Sequence, residues 1–218
     1  SFLMEQGFLT EKKKISSIKH YETDTLKDLY MYNMGNVILQ VTQNCNLRCE
    51  YCVYSGSYIN RVHTNKRMSF ETAVKTIDFL AAHSLNCNEV SIGFYGGEPL
   101  LEIELIKKAV SYAKEVFGEK KVNFNMTTNA TLLNMDIADF LVQNDFNITI
   151  SLDGPRNIHN KNRIFANSNK GTFDLIMENI ALIREKYPFF DKKISFNAVI
   201  DLKQNVSCTN EFFLNYDT

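Results

Sequence analysis

The sequence predicts an α/β fold built on a parallel sheet. Three observations predict it. Short β-branched or aromatic runs alternate with amphipathic helical stripes along most of the chain. Several of the strand runs are nearly continuously apolar, as expected when both faces of a strand are covered. Polar and glycine-rich turns follow the strand runs, where α/β folds collect their chemistry. Repeated βα units imply parallel strands joined by right-handed crossovers. An open doubly wound sheet and a (β/α) barrel, whole or partial, both fit. Periodicity does not choose between them.

Residues 37–42, VILQVT, give the first strand and run straight into a cysteine-rich stretch. Ser69 is placed to cap a helix over 69–82, with Ala73, Val74, Ile77, Leu80 and Ala81 on its apolar face. Residues 89–95, EVSIGFY, give the second strand. The next helical stripe is Ile106, Ala109, Val110, Ala113, Val116 and Phe117, stopped by Gly118. The third strand is 122–128, VNFNMTT, and a helix follows over 135–142. FNITISLDG, residues 146–154, supplies the fourth strand and its terminal turn. Thr172 is placed to cap a helix carrying Phe173, Ile176, Met177, Ile180 and Ile183, with Pro188 just beyond. ISFNAVI, residues 194–200, gives the fifth strand.

Outside this alternation the pattern is weaker. A short helix is expected around 25–31, and the final EFFLNYDT has little helical stripe. The alternation stops soon after the fifth strand, so the chain reads as part of a longer protein. Residues 1–35 read as an N-terminal extension or the end of a preceding domain, and 36–218 as an incomplete main domain.

Lys and Arg number 24 and Asp and Glu 25, a near balance that offers no electrostatic footprint for a nucleic-acid backbone. No apolar run has the length of a membrane span. The opening SFLMEQGFLTEKKK has its apolar residues before its basic run, the reverse of a signal peptide's order. A cytoplasmic location with reduced thiols is therefore expected.

Three of the five cysteines, Cys45, Cys49 and Cys52, fall within CNLRCEYC. In a reducing compartment such a cluster points to metal binding or catalysis rather than disulfides. A closed zinc site wants four ligands, and the sequence supplies three, with His63 as a distant fourth. Three thiolates on an iron–sulfur cubane would leave one iron open to a cofactor or substrate. Cys87 and Cys208 stand apart and read as ordinary free thiols. The other strand-end turns are Gly96-Gly97-Glu98-Pro99, Thr127-Thr128-Asn129 and Ser151-Leu152-Asp153-Gly154. Glycines there allow close backbone approach, and carbonyls with a carboxylate suit an amine.

The Cys-x3-Cys-x2-Cys spacing, with Tyr51 before the last cysteine, resembles the signature of the radical S-adenosylmethionine (SAM) enzymes. The resemblance runs from about Val37 to Ile200. It implies a partial (β/α)6 TIM-type barrel, truncated after strand five. It also implies a [4Fe–4S] cluster on Cys45, Cys49 and Cys52. SAM would chelate the open iron and be cleaved to a hydrogen-abstracting radical, the cofactor carrying the hard chemistry. Gly96, Gly97, Glu98 and Pro99 match the segment that meets the SAM amino group. Thr128 and Asn129 match a TNG segment in which Ala130 replaces the usual glycine. Ser151 matches a residue reaching the ribose or carboxylate, Arg163 a basic residue near the carboxylate. Ile200 matches a residue packing on the adenine, and Tyr51 one covering the cluster or adenine edge.

LQVTQNCNLRCEYCVYSG, FYGGEPLL, TTNATLL and SLDGPRNIHNKNR further resemble the branch that carries a C-terminal SPASM or twitch domain with auxiliary clusters. CVYSGSY followed by NRVH is most similar to maturases that form thioether links in Cys-rich ribosomal precursor peptides. That resemblance implies a leader-peptide-binding domain at the N-terminus, a flavodoxin or ferredoxin as electron donor, and an anaerobic bacterial host. Sulfatase-maturing, formylglycine-generating chemistry is the alternative within the family. A zinc-stabilised binding module is the alternative outside it.

Overall fold

The computed structural model describes residues 2–8, 17–54, 63–202 and 206–216. Five strands form one sheet: β1 (Asn36–Thr42), β2 (Glu89–Gly96), β3 (Lys121–Thr128), β4 (Asn147–Ser151) and β5 (Ile194–Asn197). The helices are α1 (Phe2–Glu5), α2 (Leu26–Tyr32), α3 (Phe70–His83), α4 (Ile103–Phe117), α5 (Met135–Gln143), α6 (Arg156–Asn162), α7 (Phe173–Lys186) and α8 (Val206–Leu214). All neighbouring strands are parallel, and their spatial order is their chain order. A doubly wound sheet reverses its strand order at a switch point. A sheet that never reverses is an arc of a barrel, so the choice left open by periodicity resolves to a partial (β/α) barrel.

The expectation of two covered strand faces needs correcting. Val90, Ile92 and Phe94 of β2, Phe124 and Met126 of β3, and Ile148 and Ile150 of β4 are buried in one core. Ile77 and Leu80 of α3, Ile106 and Val110 of α4, Leu141 of α5 and Ile180 of α7 complete that core. The alternate residues Ser91, Asn123, Asn125, Asn147 and Thr149 face the other way and are only partly buried. The period of two is therefore an inside–outside signal, which the short apolar runs concealed.

Local signals explain most helix ends. The Ser69 hydroxyl accepts from the Thr72 N–H and caps α3, and Gly118 ends α4 at φ 55°. Thr172 precedes α7 without capping it through its side chain; Asn160 Oδ1 accepts the Phe173 N–H instead. The Thr172 hydroxyl is engaged elsewhere, with His159 and the Arg163 carbonyl. Helix α6 has no apolar stripe, which hides it in the sequence; His159 is its one buried residue. Helix α8 includes much of the C-terminal stretch that showed no stripe. Thr209 is buried there, and Phe212 and Phe213 pack against the core. Strand β5 stops at Asn197, three residues before the expected end, because the Val199 N–H turns to Asp153 Oδ1. No helix among the described residues is long and apolar enough to cross a membrane.

Candidate active site

The cysteine loop leaves β1 and is tied to its neighbours through the backbone. The Gly97 and Glu98 N–H groups donate to the carbonyls of Thr42 and Asn44 at 2.9 Å each. Arg48 Nη1 donates to the carbonyls of Cys45 and Leu47, both at 2.7 Å. The Arg48 and Glu50 N–H groups donate to Ile164 and Asn162 carbonyls, and the Ala166 N–H to the Asn46 carbonyl. The loop is thus stitched on one side to the turn after β2 and on the other to the segment after α6.

The two glycines after β2 make this approach possible. A Cβ on Gly97 would lie 2.1 Å from the Asn44 carbonyl oxygen, and one on Gly96 2.2 Å from that of Thr42. Gly96 also sits at φ 149°. Gly97→Ala must displace the backbone just before Cys45. Denaturant unfolding is expected to show a loss of about 1–3 kcal/mol, the usual cost of overpacking. An unchanged midpoint would contradict this contact.

Glu98 is fully buried and does not line the cavity described below. Its carboxylate accepts from the Thr128 hydroxyl at 2.6 Å, the Asn129 N–H at 2.7 Å and the Leu100 N–H at 3.0 Å. Burial raises its pKa, and these three donors oppose the rise. Its role in the fold is to lock the end of β3 to the turn after β2. Pro99 begins the short 3-10 helix after Glu98 and is likewise buried away from the cavity. Ala130 takes a left-handed φ of 58°, a region that glycine enters freely. Bonds to the Thr128 hydroxyl and from the Asn179 amide hold it there.

A cavity of about 440 Å³ opens at this end of the sheet. Cys45, Cys49, Cys52 and Tyr51 line it from the loop. Gly96 and Gly97 line it from β2, Thr128 and Asn129 from β3, and Ser151 from β4; Arg163 closes one side. Ile200 is separate. It is 46% exposed and borders an adjoining cavity whose walls include Tyr51 and Val199. Sequence reasoning missed Asn197, Val199 and Tyr95 in the main cavity. The alternation of β2 could have indicated Tyr95; nothing in the sequence signals the other two.

Three thiols bordering one cavity suit an iron–sulfur cluster. Among the described residues no three His, Cys, Asp or Glu side chains are grouped to hold one metal ion. The free thiols of Cys45, Cys49 and Cys52 instead border a shared cavity, as ligands to different irons of one cluster would. The Leu47 N–H at 3.4 Å and Asn129 Nδ2 at 3.8 Å donate to Cys45 Sγ. Burial pushes Cys45 up to about 12 despite the Leu47 N–H, and Cys49 up to about 11 despite nearby Arg163. Both are therefore thiols at neutral pH, and metal binding must release their protons.

Behind the cavity lies a buried polar network that the sequence did not announce. The Tyr51 hydroxyl donates to Asp153 Oδ2 at 2.6 Å, and Arg163 Nε lies 3.0 Å from the same oxygen. The Asp153 N–H donates to His159 Nδ1 at 3.3 Å, which leaves His159 Nε2–H to donate to the Thr172 hydroxyl at 2.9 Å. Burial pushes His159 down to about 4 from its ordinary 6.5, with Arg163 adding to the effect and Asp153 opposing it. The unfolded chain therefore binds this proton more readily than the native state. The stability tied to neutral His159 is intact above about pH 6.5 and is lost as pH falls toward about 4. Thermal melts across that window are expected to fall with acidification, and His159→Gln to flatten that part of the curve.

The model of the Radical SAM superfamily matches residues 39–212. The cysteine-type anaerobic sulfatase-maturating enzyme of Clostridium novyi is 33% identical over 180 residues, covering 81% of this chain and 46% of that protein. The solved structure of native anSMEcpe with bound AdoMet superposes with TM-score 0.68 at 27% identity, covering 83% of this chain and 48% of that one. The same protein with AdoMet and Cp18Cys peptide gives 0.67 at 26%, covering 82% and 47%. This chain spans about half the length of these relatives. With the family match reaching from β1 into α8, the chain belongs to the radical SAM superfamily.

Proposed function

We propose that this chain is the SAM-cleaving core of an enzyme that oxidises a Cys or Ser side chain of a protein substrate to formylglycine. The observation that carries the cofactor assignment is the convergence of three thiols and three further strand-end turns on one cavity. The choice of substrate is supported by the likeness to sulfatase-maturating enzymes, including one solved with a peptide. The thioether-forming reading has less support. Much of the wording that suggested it, at 55–62, lies outside the described residues.

In this reading Cys45, Cys49 and Cys52 hold the [4Fe–4S] cluster. The backbone of Gly96 and Gly97 meets the SAM amino group, while Glu98 acts from beneath by fixing Thr128 and Asn129. Ser151 and Arg163, which line the cavity, would meet the ribose and carboxylate. Tyr51 and Ile200 border the adjoining space for the adenine. When bound, cluster and SAM supply the one-electron chemistry that removes a hydrogen atom from the substrate β-carbon. For a Cys substrate the net change takes up water and releases hydrogen sulfide, two protons and two electrons. One electron would leave with the hydrogen atom taken by the SAM-derived group. The other would need an acceptor such as an auxiliary cluster, which with a SPASM or twitch domain and a flavodoxin- or ferredoxin-type donor belongs to this proposal. A cytoplasmic, anaerobic setting belongs to it as well.

The test is anaerobic reconstitution with iron and sulfide, then incubation with SAM, reductant and a Cys-containing sulfatase peptide. Mass spectrometry is expected to show sulfur and two hydrogens lost and one oxygen gained, with 5′-deoxyadenosine formed alongside and the aldehyde trapped by a hydrazide. Loss of two hydrogens with sulfur retained would restore the crosslinking reading. Cleavage of SAM without change to any Cys or Ser peptide would sink the substrate assignment.

A further inference from the structure

We propose that Asp153 is a positioning residue of this site. Through Tyr51 and Arg163 it sets how the turn joining Cys49 to Cys52, and the Arg163 guanidinium, face the cavity. The inference rests on the functional reading above and extends it to a residue that does not itself line the cavity.

Asp153 is fully buried just beyond β4. Its Oδ2 accepts the Tyr51 hydroxyl and pairs with Arg163 Nε, while Oδ1 accepts the Val199 N–H at 3.1 Å. Its main chain is engaged too: the N–H donates to His159, and the carbonyl accepts from the Thr209 hydroxyl at 3.2 Å. Five polar contacts thus reach the cysteine loop, α6, the residue that follows it, the segment after β5, and α8. The Arg163 guanidinium also sits over the Tyr51 ring, 5.4 Å from its centroid, which closes a triangle with the carboxylate. The next residue, Gly154, has φ 123°, and a Cβ there would lie 2.8 Å from Thr209 Oγ1. The backbone under Asp153 therefore has little room to shift.

Position in the loop makes this more than a buried ion pair. Tyr51 stands between two of the three thiols, and the Cys52 N–H donates to the Cys49 carbonyl at 3.0 Å. Whatever fixes the Tyr51 hydroxyl fixes the attitude of that turn. The chemistry also demands a carboxylate. Two hydrogen-bond donors and the Arg163 cation converge on two oxygens, so an amide of the same shape must turn an N–H toward Arg163 or toward the Val199 N–H.

The protein is reconstituted anaerobically as wild type, Asp153→Asn, Tyr51→Phe and the double variant. Folding is followed by circular dichroism and thermal melting, loading by iron and sulfide content. The cluster is followed by electron paramagnetic resonance after reduction, during titration with SAM. In folded D153N the SAM concentration giving half the spectral change is expected to rise on the order of 10- to 100-fold, the range typical of outer partners of metal ligands. Y51F is expected to shift the same way by less, and the double variant to fall short of the sum. Loss of iron from folded D153N, with all three thiols intact, would support the assignment as well. A folded D153N with wild-type spectrum and titration would overturn it, whatever its Tm. Should D153N fail to fold, Y51F decides: a shifted titration supports the proposal, and a wild-type one overturns it. A wild-type protein whose cluster signal ignores SAM would overturn the functional reading and this assignment with it.

Discussion

Cys49→Ala is expected to leave a folded protein that no longer retains a stoichiometric cluster. The Cys49 thiol is among the cavity-lining groups and sits beside the buried Arg163 charge, which favours its thiolate. Its removal leaves two thiols, Cys45 and Cys52, for a cluster that needs three protein ligands in the proposed function. The substituted side chain is small, so the fold loses little packing. Iron and sulfide per chain should fall together after anaerobic reconstitution. SAM cleavage should drop at least about 100-fold, the upper end of what even outer-shell partners cost. Cys87 and Cys208 are the internal controls, because neither lines the cavity. Their alanine variants should keep full iron and sulfide. A Cys49→Ala protein that retains the wild-type complement of both would remove the basis of the cluster assignment.

Glu98→Ala is expected to be among the most destabilising single changes in the domain. It strands the Thr128 hydroxyl and the N–H groups of Asn129 and Leu100 in a buried place. Unsatisfied buried donors cost about 1–3 kcal/mol each, so the loss should reach about 3 kcal/mol or more. In a domain of this size that lowers Tm by roughly 6–12 °C. Glu98→Gln should cost less, because it keeps one acceptor and removes the charge whose burial raises the carboxyl pKa. It still turns an amide N–H toward a donor, so some loss remains. Equal stability of the alanine variant and wild type would contradict the buried network. Because Asn129 both bonds Glu98 and donates to Cys45 Sγ, either change should also disturb cluster loading.

The strand and helix plan was legible wherever a local signal decides the outcome. Ser69 caps and Gly118 terminates as their chemistry demands. The site's outline was legible too, since thiols and glycine turns at strand ends share one rim of the sheet. What escaped depends on contacts distant in sequence. Thr172 had the right identity for a cap, but His159 and the Arg163 carbonyl engage its hydroxyl. Glu98 reads as a carboxylate for an amine until burial turns it inward. Asp153 reads as an ordinary residue of an Asp-Gly turn, because nothing local reveals that Tyr51 and Val199 will reach it. Ile200 looked like the end of a strand that stops at Asn197.

The stitching of the cysteine loop has a consequence for how the protein acquires its metal. Its anchors are hydrogen bonds with Gly97, Glu98, Asn162, Ile164, Ala166 and Asp153, none of them metal bonds. A zinc finger has no fold until its ion arrives. Here these bonds hold the loop without a metal's help, so cluster insertion is expected to be a loading step onto a folded scaffold. Chelation should empty such a protein without melting it, and the emptied form should accept a fresh cluster without refolding.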